Sequence, residues 1–386
     1  GVGSGDIYFV VSGDAGATWG GVHRVDHGAA GVDSMDPHVT GSSTGKVVVA
    51  WRDARGGAMD VWTTTSGSFG AVGPWAATDT RLDTGGTAAG AGAPEVRSCG
   101  DSVGVTWLDD RNGGVDPYFN GSSDGGVNWK GERRLDAGVA AGTQARLVGA
   151  SCDGTTGSWF AVWDDDRNTV TASGFMDIFS DRSTDYGLTW KAADVRVDTA
   201  LAHGIPSAYG PSLAADGVGD VYATWADERN GSPDVYFTRS TNRGDTWASP
   251  EVRLNSGTAG SGNAFLPKTC TDGANNVYVA WVDLGPGRRV WFRRSTDKGA
   301  TWPSAPVNLD HTASPVTARD LFEMTCDAAG YVYVVWTDNR NDAGDLMAMD
   351  LYFTVSSDGG ATWLAAEKRL NTEVSPGAVE AGYSRI

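Results

Sequence analysis

The sequence predicts an all-β fold of repeated four-stranded blades, and three observations carry that prediction. Short strand patterns dominate and long helical periodicity is absent. Glycine is the commonest residue, at 54 copies, which suits a chain that reverses direction often. Two motifs alternate down the chain at a nearly fixed period, and the Trp of one of them recurs at intervals of 56, 56, 62, 56 and 55 residues. A period this long, with about four short strands per unit, points to a β-propeller rather than a solenoid.

The first motif is S-x-D-x-G-x-x-W. It occurs as "SGDAGATW" from Ser12, "SSDGGVNW" from Ser122, "STDYGLTW" from Ser183, "STNRGDTW" from Ser240, "STDKGATW" from Ser295 and "SSDGGATW" from Ser356. A stretched copy, "SGSFGAVGPW", runs from Ser66 to Trp75 without the Asp. Each copy follows an aromatic strand such as "DVYFTRS". Ser and Asp side chains can bond the N-H groups of a reversal, Gly permits positive φ, and Trp covers the hairpin. Asp14, Asp124, Asp185, Asn242, Asp297 and Asp358 are therefore structural residues of these turns.

The second motif, W-x-D-x-R, follows an apolar strand. It stands at Trp51–Arg55, Trp107–Arg111, Trp163–Arg167, Trp225–Arg229 and Trp336–Arg340, and decays to "WVDLG" at Trp281. Alternation along a strand puts Trp, Asp and Arg on one face. In the decayed unit the Arg becomes Gly285 and a later Asp position, Asp234 elsewhere, becomes Arg289. That joint loss suggests that Arg pairs with the later Asp. A motif repeated in nearly every blade reads first as scaffold. It is also a candidate multivalent sugar surface, through Trp51, Trp107, Trp163, Trp225 and Trp336 with Arg55, Arg111, Arg167, Arg229 and Arg340.

One domain, 1–386, is expected, with blades at approximately 27–83, 84–136, 137–198, 199–255, 256–308 and 309–371. Residues 1–26 and 372–386 would share a seventh, closing blade, which removes exposed strand edges; six or eight blades are the alternatives. The shared blade would lack its second strand, so the native polypeptide is expected to extend beyond one terminus.

The formal net charge of -18 repels phosphate backbones and anionic lipid, so nucleic acid is excluded as a partner. No apolar run approaches the roughly 18 to 20 residues of a membrane span. Cys99, Cys152, Cys270 and Cys326 close the first strands of two neighbouring pairs of blades. Disulfides 99–152 and 270–326, in an oxidising compartment, are one reading, and four buried free thiols are the other. No motif requires a cofactor. Clustered carboxylates in "DDRNGGVD" from Asp109 and "DDDRN" from Asp164 admit calcium, although Arg sits where an oxygen ligand should.

The six S-x-D-x-G-x-x-W copies resemble the Asp box, or BNR repeat, of sialidases and many other propellers. The resemblance implies a sialidase-like propeller with the boxes at the blade periphery. It also implies three arginines gripping a carboxylate, a Tyr and Glu pair, and an Asp acid/base. "YSRI" at Tyr383–Ile386 partly matches the first-strand R-I-P segment of that family. The catalytic candidates are Arg97, Arg146, Arg319, Arg385 and Asp60, with Glu95 and Glu323 as further polar residues of first strands. No Tyr and Glu pair can be matched. The sequence reading is a non-catalytic secreted or cell-surface propeller that binds a glycan or a surface protein. A sialidase-like glycoside hydrolase and a structural subunit of an extracellular assembly are the alternatives.

Overall fold

A computed structural model describes residues 5–11, 20–28, 32–67, 75–85, 90–92, 94–136, 139, 142–169, 175–199, 207–285, 288–302, 305–311, 319–341 and 349–370. The chain divides into two compact units, Gly1–Arg167 with Ser180–Asp194, and Asn168–Phe179 with Val195–Ile386. The described secondary structure is strand and turn throughout, organised as six four-stranded antiparallel blades whose strands pair in chain order.

The first unit holds a two-stranded sheet, Tyr8–Phe9 with His23–Arg24, and two whole blades. Blade 1 is Ser34–Gly41, Val47–Asp53, Asp60–Ser66 and Thr80–Arg81; blade 2 is Glu95–Cys99, Ser102–Asp109, Asp116–Ser122 and Arg133–Arg134. Blade 3 is Ala145–Asp153, Ser158–Asp165, Asp177–Ser183 and Val195–Arg196, its residues divided between the units. The second unit holds blade 4 (Ala208–Ala215, Val221–Asp227, Asp234–Ser240, Val252–Arg253), blade 5 (Ala264–Thr271, Val277–Asp283, Arg289–Ser295, Val307–Asn308) and blade 6 (Arg319–Cys326, Val332–Asp338, Asp350–Ser356, Lys368–Arg369).

The count of seven four-stranded blades is corrected to six. Among the described residues the additional sheet has two strands, Tyr8–Phe9 and His23–Arg24; residues 372–386, expected to complete it, lie outside the described residues.

Burial explains the strand types. Second strands such as "VYATWAD" are buried along their whole length, so they read as continuous apolar runs rather than alternating ones. Trp51, Trp107, Trp163, Trp225 and Trp336 are fully buried within them. Fourth strands have two residues each, which keeps the outer edge too short to recruit another strand. The first strands of blades 1, 4 and 5 carry a bulge near their start, with register shifts between Met35 and His38, Tyr209 and Ser212, and Phe265 and Lys268. Asp36, Gly210 and Leu266 adopt positive φ there, which re-aims the residue before each of them.

The S-x-D-x-G-x-x-W turns are bonded internally. Ser122 Oγ donates to Asp124 Oδ1 at 2.7 Å and accepts from the Gly126 N-H at 3.0 Å, while Asp124 accepts from the Asn128 N-H at 2.9 Å. The same bonds recur at Ser183 with Asp185, Ser240 with Asn242, Ser295 with Asp297 and Ser356 with Asp358. The Ser12 copy, with Asp14, lies outside the described residues. The motif Trp does more than cover its own hairpin. Within the first unit Trp190 packs edge-on against Phe119 of the preceding blade at 5.0 Å, and within the second Trp302 meets Phe237 and Trp363 meets Phe292, both at 4.8 Å. Cys99 is bonded to Cys152 and Cys270 to Cys326, with Cα separations of 5.9 and 6.1 Å, joining first strands of successive blades.

Candidate functional site

The opposite end of each blade, where the second strand hands over to the third, carries the W-x-D-x-R segments. Their arginines fold back onto the motif's own Asp: Arg55 to Asp53 and Arg229 to Asp227 at 2.5 Å, and Arg340 to Asp338 at 2.7 Å. The same Asp accepts the indole N-H of Trp51, Trp163, Trp225 or Trp336 at 2.9–3.1 Å. Each Arg then reaches an acid at the start of the fourth strand: Arg55 to Asp79 (2.6 Å), Arg111 to Glu132 (2.7 Å), Arg229 to Glu251 (3.2 Å), Arg167 to Asp194 and Arg340 to Glu367. Burial of the Arg229 guanidinium works against its charge, and the bonds to Asp227 and Glu251 outweigh that and hold it protonated.

The later Asp is held by a different cation, contrary to the pairing read from sequence. Arg81 binds Asp60 at 2.7 Å, Arg134 binds Asp116, Arg196 binds Asp177 and Arg369 binds Asp350 at 2.9 Å, and Arg253 binds Asp234 at 3.3 Å. Sequence reasoning saw that each unit closes with "RLD", "RVD" or "RLN" but missed the acid two residues before that Arg, so the segment reads acid-x-Arg in these blades, and it missed the partners of both. The signal was available: in blade 5 Pro306 replaces the acid and Asn308 the Arg, alongside Gly285 in place of the motif Arg and Arg289 in place of the later Asp. There the charges reverse, and Arg289 lies 3.7 Å from Asp310.

These positions correct the multivalent sugar surface. The five motif Trp side chains are fully buried and cannot present a face to ligand. The five arginines are each committed to two carboxylates. In the calcium-like loop from Asp109, Asp109 binds Arg111, Asp110 accepts from the Gly90 N-H, and Asp116 binds Asn112 and Arg134. Among the described residues no group of three or more His, Cys, Asp or Glu is arranged to hold a metal.

The first-strand candidates serve largely as ties. Arg97 pairs with Glu95 at 2.5 Å on its own strand, and Glu323 takes Lys268 of the preceding blade at 3.1 Å. His38 and Ser212, at the matching register, accept the backbone N-H groups of Val96 and Thr269. Arg146 is exposed at the start of its strand. The side chain of Arg319 and all of Arg385 lie outside the described residues, so no three arginines converge among those described. Asp60 is 1% exposed, and burial, with the like charge of Asp83, pushes its carboxyl up to about 6.

One cluster breaks the repeat. In the second unit, the bulged starts of two first strands place Tyr209 and Phe265 at the same register, rings 5.8 Å apart and inclined by 33°. The Tyr209 hydroxyl donates to Glu228 Oε1 at 3.3 Å. Glu228 sits in the W-x-D-x-R segment of blade 4, and its own N-H bonds the Ser207 carbonyl at 3.0 Å. Leu266, 45% exposed, borders Phe265. Burial, and then the negative charge of Glu228, push the Tyr209 hydroxyl upward, so it rests as a neutral phenol that donates to a carboxylate. An aromatic pair beside a carboxylate acceptor is suited to a sugar ring: CH groups lie on the rings and hydroxyls meet the acid. Sequence reasoning found no Tyr and Glu pair because the two residues are 19 positions apart and belong to different motifs.

No family model matches the chain. A Paenibacillus xyloglucanase is 28% identical over 160 residues, a match that covers 38% of this chain and 14% of that protein. An ulvan lyase structure bound to a GlcA(1-4)Rha3S repeat is similar with a TM-score of 0.52 at 10% identity, over 92% of this chain and 88% of that one. An α-L-arabinofuranosidase from Fusarium graminearum, in complex with an iminosugar inhibitor, gives a TM-score of 0.50 at 16% identity over 84% and 93%. A protein of unknown function from Dyadobacter fermentans gives 0.50 at 15% over 82% and 93%. At these identities the likeness shows the β-propeller fold.

Proposed function

We propose that this chain is a carbohydrate-binding propeller of an extracellular or cell-surface protein, and that it holds sugar at the Tyr209, Phe265 and Glu228 cluster. The observation that carries the reading is asymmetry. The arginines and aspartates of the complete W-x-D-x-R segments pair with one another and with neighbouring acids, whereas this cluster pairs half-buried aromatic rings with a carboxylate at the end of the blades where first strands begin. The fold neighbours that bind or cleave polysaccharide support the choice of ligand class, and the two disulfides support an oxidising compartment. In this reading the S-x-D-x-G-x-x-W turns are Asp boxes, serving as scaffold away from the sugar. Calcium has no part in it.

A glycan array with the purified chain, run with and without EDTA, tests the proposal. Selective binding that survives EDTA and is lost in Tyr209→Ala supports it. Silence across the array, or binding untouched by Tyr209→Ala and Phe265→Ala, overturns it and favours a protein-binding scaffold.

The Tyr209 to Glu228 hydrogen bond favours a second reading, sialidase-like hydrolysis, because a phenol beside a carboxylate base can be activated as a nucleophile. Its test is release of a terminal sugar from the bound glycan. Release abolished in both Tyr209→Phe and Glu228→Gln assigns catalysis to the pair; binding without release leaves the protein a lectin.

A further inference from the structure

Glu228 differs from the acids that share its position in the repeat. In blades 2 and 3 the residue between the motif's Asp and Arg is Asp110 and Asp166, and each accepts a backbone N-H from just ahead of its blade's first strand, that of Gly90 or Gln144, at 2.8 Å. Glu228, a methylene longer, takes the Tyr209 hydroxyl instead, at 3.3 Å. The strand start is held without it, because the Glu228 N-H bonds the Ser207 carbonyl. The adjacent Arg229 is committed to Asp227 and Glu251, and among the described residues the Glu228 carboxylate forms no ion pair.

The charge beside the rings therefore has one sign. Glu228 and then Asp227, both negative, are the charges that act on the Tyr209 hydroxyl. The faces of Tyr and Phe rings are electron-rich as well. Two half-buried rings 5.8 Å apart, next to a half-buried carboxylate that the fold does not neutralise, attract a cation and repel an anion.

We propose, resting on the sugar-site reading above, that the Tyr209, Phe265 and Glu228 cluster selects an amino sugar whose amine is free and protonated. The ammonium group donates to the Glu228 carboxylate beside the Tyr209 ring, and CH groups of the sugar lie on Phe265. An N-acetylated sugar presents only a neutral amide to the same acid, and a uronic acid brings a second carboxylate to a site of its own sign, so both bind more weakly.

The experiment is calorimetric titration of the purified full chain at about pH 6, where a sugar amine is protonated, with trisaccharides of glucosamine, N-acetylglucosamine and glucuronic acid. The glucosamine trisaccharide should bind about tenfold more tightly than the N-acetylated one, with the glucuronic acid trisaccharide weakest. Glu228→Gln keeps an acceptor for the Tyr209 hydroxyl and removes the charge, so the preference should disappear. That variant changes a net charge of -18 by one, which leaves general attraction of cations nearly intact, so loss of the preference reports on the site itself. Tyr209→Ala should weaken binding of glucosamine and N-acetylglucosamine alike. Either of the other two sugars binding as tightly as glucosamine, a preference that persists in Glu228→Gln, or no binding of any of the three would overturn the proposal. Equal binding of glucosamine and N-acetylglucosamine leaves the sugar site standing, whereas failure of that site shows as silence across the glycan array or as binding untouched by Tyr209→Ala and Phe265→Ala.

Discussion

The two ends of each blade are held by different kinds of bonding. At the S-x-D-x-G-x-x-W turn the polar bonds close within a few residues, as from Ser122 to Asn128. At the W-x-D-x-R end they close across the blade: Arg229 bonds Asp227 two residues away and Glu251 22 residues away, while Asp234 depends on Arg253. The first is a local device and the second an assembly of three separated segments. Damage to the first should therefore stay near the turn, and damage to the second should strip several buried charges at once.

The largest expected effect follows directly. Arg229→Met removes the cation between Asp227 and Glu251, both buried, and should cost about 3–5 kcal/mol in denaturant unfolding. Asp124→Ala in a turn should cost only about 1–2 kcal/mol, the worth of a few partly exposed hydrogen bonds. Equal losses would erase the distinction between the ends.

The degenerate blade sharpens the comparison by reversal. Gly285→Arg with Pro306→Glu restores the two outer partners that blade 5 lacks, around an Asp283 already present. The double variant should be more stable than the sum of the singles, with a coupling of about 1 kcal/mol in a double-mutant cycle. Additive singles would mean that the clamp is not the unit of stability at this end.

What was legible in the sequence divides along the same line. The turns could be read whole, because Ser, Asp, Gly and Trp lie within eight residues and their bonding needs no other segment. The buried second strands were equally plain from runs such as "YVYVVW". The clamp was half legible: W-x-D-x-R was visible, but its acid lies beyond the next strand and turn, and the later Asp was assigned the wrong Arg. Tyr209 and Glu228 were not legible at all. Their meeting depends on a bulge at Gly210, where a positive φ turns the strand, and periodicity carries no trace of that.

The response to pH should differ in sign between the ends. In the turn, bonds from the Asn128 N-H and side chain, with Ser122, hold the Asp124 carboxyl down at about 2 against the opposing effect of burial. Its contribution is present above the ordinary 3.8 and is lost as pH falls toward 2. At the other end, burial first, and then the like charge of Asp83, raise Asp60 to about 6. The native state then holds a proton that the unfolded chain has released, so the contribution of this carboxyl falls as pH rises from about 4 to 6 and is level above that. Unfolding free energies measured from pH 2 to 8 should show the acid-side slope reduced in Asp124→Asn and the slope between 4 and 6 reduced in Asp60→Asn. If Asp60→Asn leaves that second slope intact, Asp60 is not the group that titrates there, and its buried neighbour Asp83, also raised by burial, becomes the group to replace next.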